Sequence, residues 1–147
     1  MYARELFLAG EDQDFLHAED YFQAEVVSCD RTPDEITEGC CVAVRAARLR
    51  GDTVSFFKYA SKVIAGDGCS EICCEMGHFY EEAEDTEEAA IWYYNAAYET
   101  QPVLSLRSSV EEPLQGLIRC YEKMELPEQA ESYRLELEQR CRKQDKE

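Results

Sequence analysis

The stretch that most constrains the fold runs from residue 70 to 103, where two amphipathic segments flank a polar corner formed by Glu84, Asp85 and Thr86. On each side of the corner, apolar residues recur every three or four positions, which lines one face of an α-helix. Asp85 followed by Glu88 predicts a capping box at the start of the second helix. The stretch therefore predicts two helices joined by a tight turn. The expected buried residues are Ile72, Cys73, Met76, Phe79, Tyr80, Ala83, Ala89, Ala90, Tyr93, Ala96 and Ala97.

Small and large residues occupy particular places in this stretch. Gly77 and Ala96 are small enough for two helices to approach closely, and Tyr80 and Tyr93 can fill the space between them. Together with Ala89, these residues fall at positions 8, 11, 20, 24 and 27 of a 34-residue unit. This spacing resembles the tetratricopeptide repeat, a helix–turn–helix unit of that length. The resemblance implies further antiparallel helix pairs in the same chain.

Two other stretches carry the same pattern. Aligning Asp52 with Asp85 places one unit 33 residues earlier, and Thr32 followed by a proline predicts the start of its first helix. A later unit starts near Glu111, 41 residues after Ser70, and a proline at 127 opens its second helix. A polar corner near residue 12 indicates a degenerate pair at the beginning.

Four helix pairs are therefore expected in a single domain covering residues 1–147. Each pair has too little apolar surface to be stable alone, so its neighbours must cover it. The predicted fold is all-α, a right-handed superhelical array of tetratricopeptide-like pairs, or α-solenoid. The pairs are expected near residues 1–29, 32–66, 70–101 and 111–144.

The charge and hydropathy of the chain limit its partners and location. Thirty-two acidic residues against fifteen basic ones give a net charge of −17, which opposes binding to nucleic acid or to anionic lipid. The sequence has no apolar run of about 18 residues, and its first residues lack the apolar core of a signal peptide. We therefore expect a cytoplasmic protein with no membrane insertion.

Eight cysteines are many for such a chain. Buried free cysteines behave as small hydrophobic residues, and this interpretation fits Cys40, Cys73 and Cys120. A more specific alternative is metal or redox chemistry, because Cys69, Cys73 and Cys74 precede His78. Of these, Cys74 and His78 lie on the same helix face. Zinc sites usually combine ligand pairs from separate elements, and no CxxC motif is present. We therefore expect no metal and no cofactor, and keep a metal- or redox-responsive protein as a further hypothesis.

The sequence contains no catalytic motif, such as a phosphate-binding glycine loop or a nucleophile elbow, so we expect no enzyme activity from this chain. In tetratricopeptide-like geometry, the first helices of the pairs line a concave groove. The groove is expected to be of mixed sign and able to hold a peptide carboxylate or an acidic patch, or else to be ordinary charged helix surface. Its candidate binding residues are Arg45, Arg48, Cys74, His78, Arg119 and Lys123.

Three phrases indicate a narrower resemblance: MYARELFLAGEDQDFLHAEDYF, EICCEMGHFY…EEAAIWYYNAAYET and PLQGLIRCYEKMELPEQAESY. In this order they are similar to the helical region that follows the catalytic domain in bacterial family-2 glycosyltransferases. The resemblance implies a non-catalytic module that positions an acceptor, contacts the transferase or self-associates as a homo-oligomer. The alternative is a free-standing adaptor that binds a peptide or protein in its groove.

Overall fold

The computed structural model describes residues 33–65, 68–101 and 111–146, so the pair predicted near residues 1–29 lies outside them. All regular structure in these residues is helical, which confirms the all-α class. None of their helices is both long and apolar enough to cross a membrane. They form three consecutive pairs: α1 (Pro33–Arg50) with α2 (Thr53–Ile64), α3 (Ser70–Glu82) with α4 (Thr86–Tyr94), and α5 (Glu111–Lys123) with α6 (Pro127–Lys146).

The three pairs turn their corners in the same way. Gly51, Glu84 and Glu125 adopt left-handed backbone conformations, with φ of 75°, 64° and 59°. At each of these residues the N–H donates to the carbonyl three residues back, and the next N–H donates to the carbonyl five residues back. This is the Schellman arrangement, which satisfies carbonyls at the end of a helix. The three corners therefore have one backbone geometry, although the second lies 33 residues after the first and the third lies 41 residues after the second.

Side-chain caps then start two of the second helices. The Asp52 carboxylate accepts the Ser55 N–H at 3.2 Å. The Asp85 carboxylate accepts the Glu88 N–H at 3.3 Å, so the predicted cap at Asp85 is confirmed. These bonds satisfy backbone donors that have no partner within the first turn.

The first seam is the contact of α1 and α2 with α3. Its centre is aromatic: the rings of Phe56 and Phe79 stack with centroids 4.8 Å apart, and Phe57 packs edge-on against both. On α2, Phe56, Ala60 and Val63 are buried in this seam. Large apolar side chains therefore fill this seam.

The second seam is the contact of α3 and α4 with α5. Its centre is the fully buried ring of Tyr93, which lies between Gly77 of α3 and Gly116 of α5. A Cβ atom added at either glycine would be 2.6 Å from the ring. The predicted close approach at Gly77 is confirmed, and Gly116 forms the opposite wall.

Most of the buried positions predicted for the central pair are confirmed. Ile72, Cys73, Met76, Ala89, Ala90, Tyr93 and Ala96 are buried. Phe79, Tyr80 and Ala97 are half-buried. Ala83 is exposed, and the prediction for it is wrong because it is the residue at which α3 ends and the chain turns toward solvent.

Candidate functional site

The polar residues of the first helices meet across the first seam. Glu75 of α3 accepts hydrogen bonds from the guanidinium groups of Arg45 at 2.6 Å and Arg48 at 2.7 Å, both on α1. Only 1% of the Glu75 side chain is exposed, against 18% and 13% for the two arginines. Arg45 and Arg48 are three residues apart and so project from one face of α1. A single buried carboxylate thus pairs with two cations that were predicted to line the groove.

The ionisation of Glu75 reflects two opposing effects. Burial alone would raise its pKa, but the charges of Arg45 and Arg48 outweigh burial and lower the pKa to about 2. Glu75 is therefore a carboxylate at neutral pH. It can serve only as an acceptor in this network.

Other carboxylates extend the network toward solvent. Arg48 also bonds to Glu82 at 2.6 Å, and Arg45 lies 3.7 Å from Glu112 of α5. The side chains of Glu82 and Glu112 are 58% and 49% exposed, which is far more than those of the arginines. A partner that approaches this face from solvent therefore meets carboxylates before it meets guanidinium groups.

A second polar chain crosses the second seam. Arg119 of α5 donates two hydrogen bonds to the Glu81 carboxylate, at 2.8 and 3.0 Å. The Tyr93 hydroxyl donates to Glu81 at 2.6 Å, and the same hydroxyl oxygen lies 2.8 Å from Nδ1 of His78. Although burial raises the pKa of Glu81, the bonds from Arg119 and Tyr93 outweigh it and the pKa is lowered.

This chain of bonds fixes where the protons lie. Glu81 is ionised and can only accept, so Tyr93 must use its one proton to donate to it. The Tyr93 oxygen then accepts from His78, which places a proton on Nδ1. The other ring nitrogen of His78, Nε2, is consequently directed at different partners, Cys74 and Glu112.

Cys74, His78 and Glu112 bring one potential ligand atom each to a common point. His78 Nε2 lies 2.6 Å from a Glu112 carboxylate oxygen and 3.7 Å from Cys74 Sγ. The three ligand atoms all lie within 4.8 Å of one another. Burial, followed by the nearby charges of Glu112 and Glu75, raises the pKa of the Cys74 thiol. The short contact between His78 Nε2 and the Glu112 carboxylate joins α3 to α5 at this cluster.

The structure unites five of the six predicted groove residues. Arg45, Arg48, Cys74, His78 and Arg119 belong to the two networks, whose members come from α1, α3, α4 and α5. Lys123 is exposed at the end of α5, and no hydrogen bond or ion pair joins it to other residues in the part of the chain that the structure describes.

The central roles of Glu75 and Tyr93 were not predicted from the sequence. Glu75 offered a signal, since it is an acidic residue between the apolar Cys74 and Met76, 30 and 27 residues after two arginines on one face of α1. Tyr93 was correctly placed in the core. Its hydroxyl carried no sequence signal, because the partners at 78 and 81 lie in a different helix.

A cleft of about 190 Å³ opens beside the first network, at the corners of the first two pairs. Ala47, Phe56 and Phe79 form its apolar wall, in which Phe79 is the partly exposed residue, and Arg48 and Glu82 contribute charge. The cleft is large enough for one apolar side chain of a partner.

Comparison with known protein families, with curated proteins and with solved structures finds no match to this chain. The fold and the site themselves define an all-helical protein of paired helices, with ionic and hydrogen-bonded networks running across the seams between pairs.

Proposed function

We propose that this chain is a non-catalytic interaction module, a tetratricopeptide-like superhelical array that binds a protein or peptide on the face of its first helices. The observation that carries the proposal is the recurrence of one Schellman corner at Gly51, Glu84 and Glu125. Repeated pairs of this kind leave one face of each first helix for a partner. The polar residues of α1, α3 and α5 occupy that face.

The charges of this face favour a basic partner. Arg45, Arg48 and Arg119 are already paired with carboxylates, so an acidic group must compete with Glu75 or Glu81 for them. The carboxylates of Glu82 and Glu112 are more exposed than Arg45 and Arg48. Arg119 is 45% exposed, but two hydrogen bonds hold it to Glu81. The net charge of −17 adds long-range attraction for cations. From the sequence, the groove was expected either to hold a peptide carboxylate or an acidic patch, or to be ordinary charged helix surface. Because the arginines are paired, we propose a cationic ligand in place of an acidic one.

The cleft adds an apolar element to the recognition. Phe56 and Phe79 border it directly beside Glu82. A segment that carries an apolar side chain next to a Lys or Arg would fill the cleft and pair with the carboxylate. Such a buried anchor with a charged neighbour is typical of peptide recognition.

The test is a binding selection with random peptides, followed by titration of the selected peptides against the wild-type chain. We expect selected peptides to combine basic and apolar residues. Glu82→Lys should weaken their binding about ten-fold or more by reversing a charge beside the cleft. Glu128→Lys on α6, an exposed site away from the cleft, is the matched control and should bind as the wild type does. Equal affinity of the two variants would contradict the proposed face.

The narrower proposal is that the module belongs to a glycosyltransferase, and it rests on the three resembling phrases alone. The direct test is the coding sequence around this chain. An in-frame nucleotide-sugar domain ahead of Met1 would support the transferase role, whereas its absence would favour the free-standing adaptor. Analytical ultracentrifugation tests self-association separately, since a homo-oligomer should gain mass with increasing protein concentration.

A further inference from the structure

Cys74, His78 and Glu112 form a three-ligand set across two helices. Cys74 and His78 lie one turn apart on α3, and Glu112 reaches them from the first turn of α5. We propose that these residues bind one divalent transition metal, with zinc preferred because the donors are one sulfur, one nitrogen and one oxygen. This site does not depend on the interaction role proposed above.

The separations suit a small tetrahedral ion. Zinc–ligand bonds of about 2.0–2.3 Å place neighbouring donors roughly 3.3–3.6 Å apart. His78 Nε2 and Cys74 Sγ are 3.7 Å apart, which already approaches this value. The Nε2 to Glu112 distance of 2.6 Å is that of a hydrogen bond and must widen. Glu112 is half-exposed on a flexible side chain, so it can move by this amount without disturbing the core.

The surroundings orient the histidine as metal sites usually require. A metal-binding histidine typically donates its second ring N–H to a fixed acceptor, which sets the tautomer. Here Nδ1 of His78 donates to Tyr93, Tyr93 donates to Glu81, and Arg119 holds Glu81 from α5. The chain leaves Nε2 facing Cys74 and Glu112. Tyr93 is therefore a positioning residue for the site.

The charge balance also permits a divalent cation. Four carboxylates, those of Glu75, Glu81, Glu82 and Glu112, surround three arginines, Arg45, Arg48 and Arg119. Binding of M²⁺ releases the proton of the Cys74 thiol to solvent, since a metal-bound cysteine is a thiolate. The thiolate and the one carboxylate that no arginine matches then balance the two charges of the ion, so the metal introduces no unbalanced buried charge.

Three protein ligands leave a fourth position for water or for a donor from another molecule. The exposed side of the cluster is the side of Glu112. The metal would also join α3 to α5 directly and so reinforce the second seam.

The experiment uses the full chain, reduced, free of any affinity tag and stripped by a chelator. Titration with Co²⁺ should give one equivalent of binding, with tetrahedral d–d bands and a thiolate-to-cobalt charge-transfer band that Zn²⁺ abolishes. Cys74→Ala should remove the charge-transfer band. Its matched control is Cys120→Ala, another buried cysteine, which should keep it.

The remaining variants separate ligands from neighbours. Glu112→Gln should weaken Co²⁺ binding. The control is Glu122→Gln, because Glu122 is an exposed glutamate of α5 outside the proposed site, and this change should leave binding unaltered. Tyr93→Phe should weaken affinity about 10–100-fold while the thiolate band is retained. Circular dichroism establishes that each variant is folded. Failure of the folded wild type to bind, or a charge-transfer band that survives Cys74→Ala, would overturn the proposal.

Discussion

The two seams between the helix pairs of residues 33–146, as far as the structure describes them, join similar pairs by different means. In the first seam, Phe56 and Phe79 fill the space between helices, and buried Glu75 holds two arginines of the neighbouring pair. In the second, Gly77 and Gly116 let the helices close on a single ring, that of Tyr93. The hydroxyl of that ring continues into a hydrogen-bonded chain that ends at Arg119.

The difference shows which parts of a repeat are free to vary. The corners keep one backbone geometry in all three pairs, whereas the filling of the seams changes from two stacked aromatic rings to a single ring between two glycines. The polar groups differ in the same way. In the first seam the carboxylate of Glu75 is buried and therefore needs ion pairs, whereas in the second seam Tyr93 forms hydrogen bonds with the half-buried His78 and Glu81. The two seams should therefore fail in different ways when they are altered.

The largest effect is expected for Glu75→Gln in the first seam. This change leaves Arg45 and Arg48 without their buried counter-charge, which should lower the free energy of unfolding by about 3–5 kcal/mol. Glu82→Gln, which removes the exposed partner of Arg48, is the control and should cost less than about 1 kcal/mol. Urea denaturation followed by circular dichroism measures both. A loss for Glu75→Gln no greater than that of the control would show that the ion pairs do not hold this seam.

The same carboxylate predicts sensitivity to acid. Because the pKa of Glu75 is lowered from 4.5 to about 2 in the folded protein, its contribution is fully present above pH 4.5. The contribution is lost as the pH falls toward 2, and the shift corresponds to about 3 kcal/mol. Urea midpoints measured across this range should fall less steeply for Glu75→Gln than for the wild type. Parallel pH profiles for the two proteins would contradict the assignment.

The second seam is expected to respond to added volume. Gly77→Ala and Gly116→Ala each place a Cβ against the Tyr93 ring, which cannot retreat from one glycine without meeting the other. Overpacking should cost about 1–3 kcal/mol even though alanine favours the helix. A double-mutant cycle with Tyr93→Leu provides the control, because the smaller side chain should relieve most of the cost. A cost that persists in the Tyr93→Leu background would place the strain elsewhere.

The smallest effect is expected at the corners, which have the same geometry in all three described pairs. Glu84 and Glu125 are non-glycine residues with positive φ, so replacing either by glycine should stabilise the protein by about 1 kcal/mol. Gly51→Ala, the reverse change at the equivalent corner, should destabilise it by a similar amount. Thermal melting of the three variants tests this symmetry. Loss of stability in Glu84→Gly would indicate that the corners differ in more than their residue.

The helix pairs and their registers were predictable because they depend on local sequence. Period 3.6 patterns placed Ile72, Met76 and Tyr93 in the core, and the polar corner placed the cap at Asp85. The exposed position of Ala83 was not predicted, since the pattern of α3 continues past the residue at which the helix ends. The groove residues could be assigned to a helix face, but the sequence did not show which of their charges are paired with carboxylates.

What the sequence by itself determined is the all-α class, the corners and the apolar face of each helix, because these follow from residues within one or two turns of one another. Only the tertiary structure decided that Glu75 binds Arg45 and Arg48, and that Glu112 joins Cys74 and His78. Glu75 lies 27 residues after Arg48, and Glu112 lies 34 residues after His78. In the second network, Arg119 lies 38 residues after Glu81. Their meeting depends on how the pairs stack, and a charged residue on a helix surface looks the same in sequence whether it faces water or another helix.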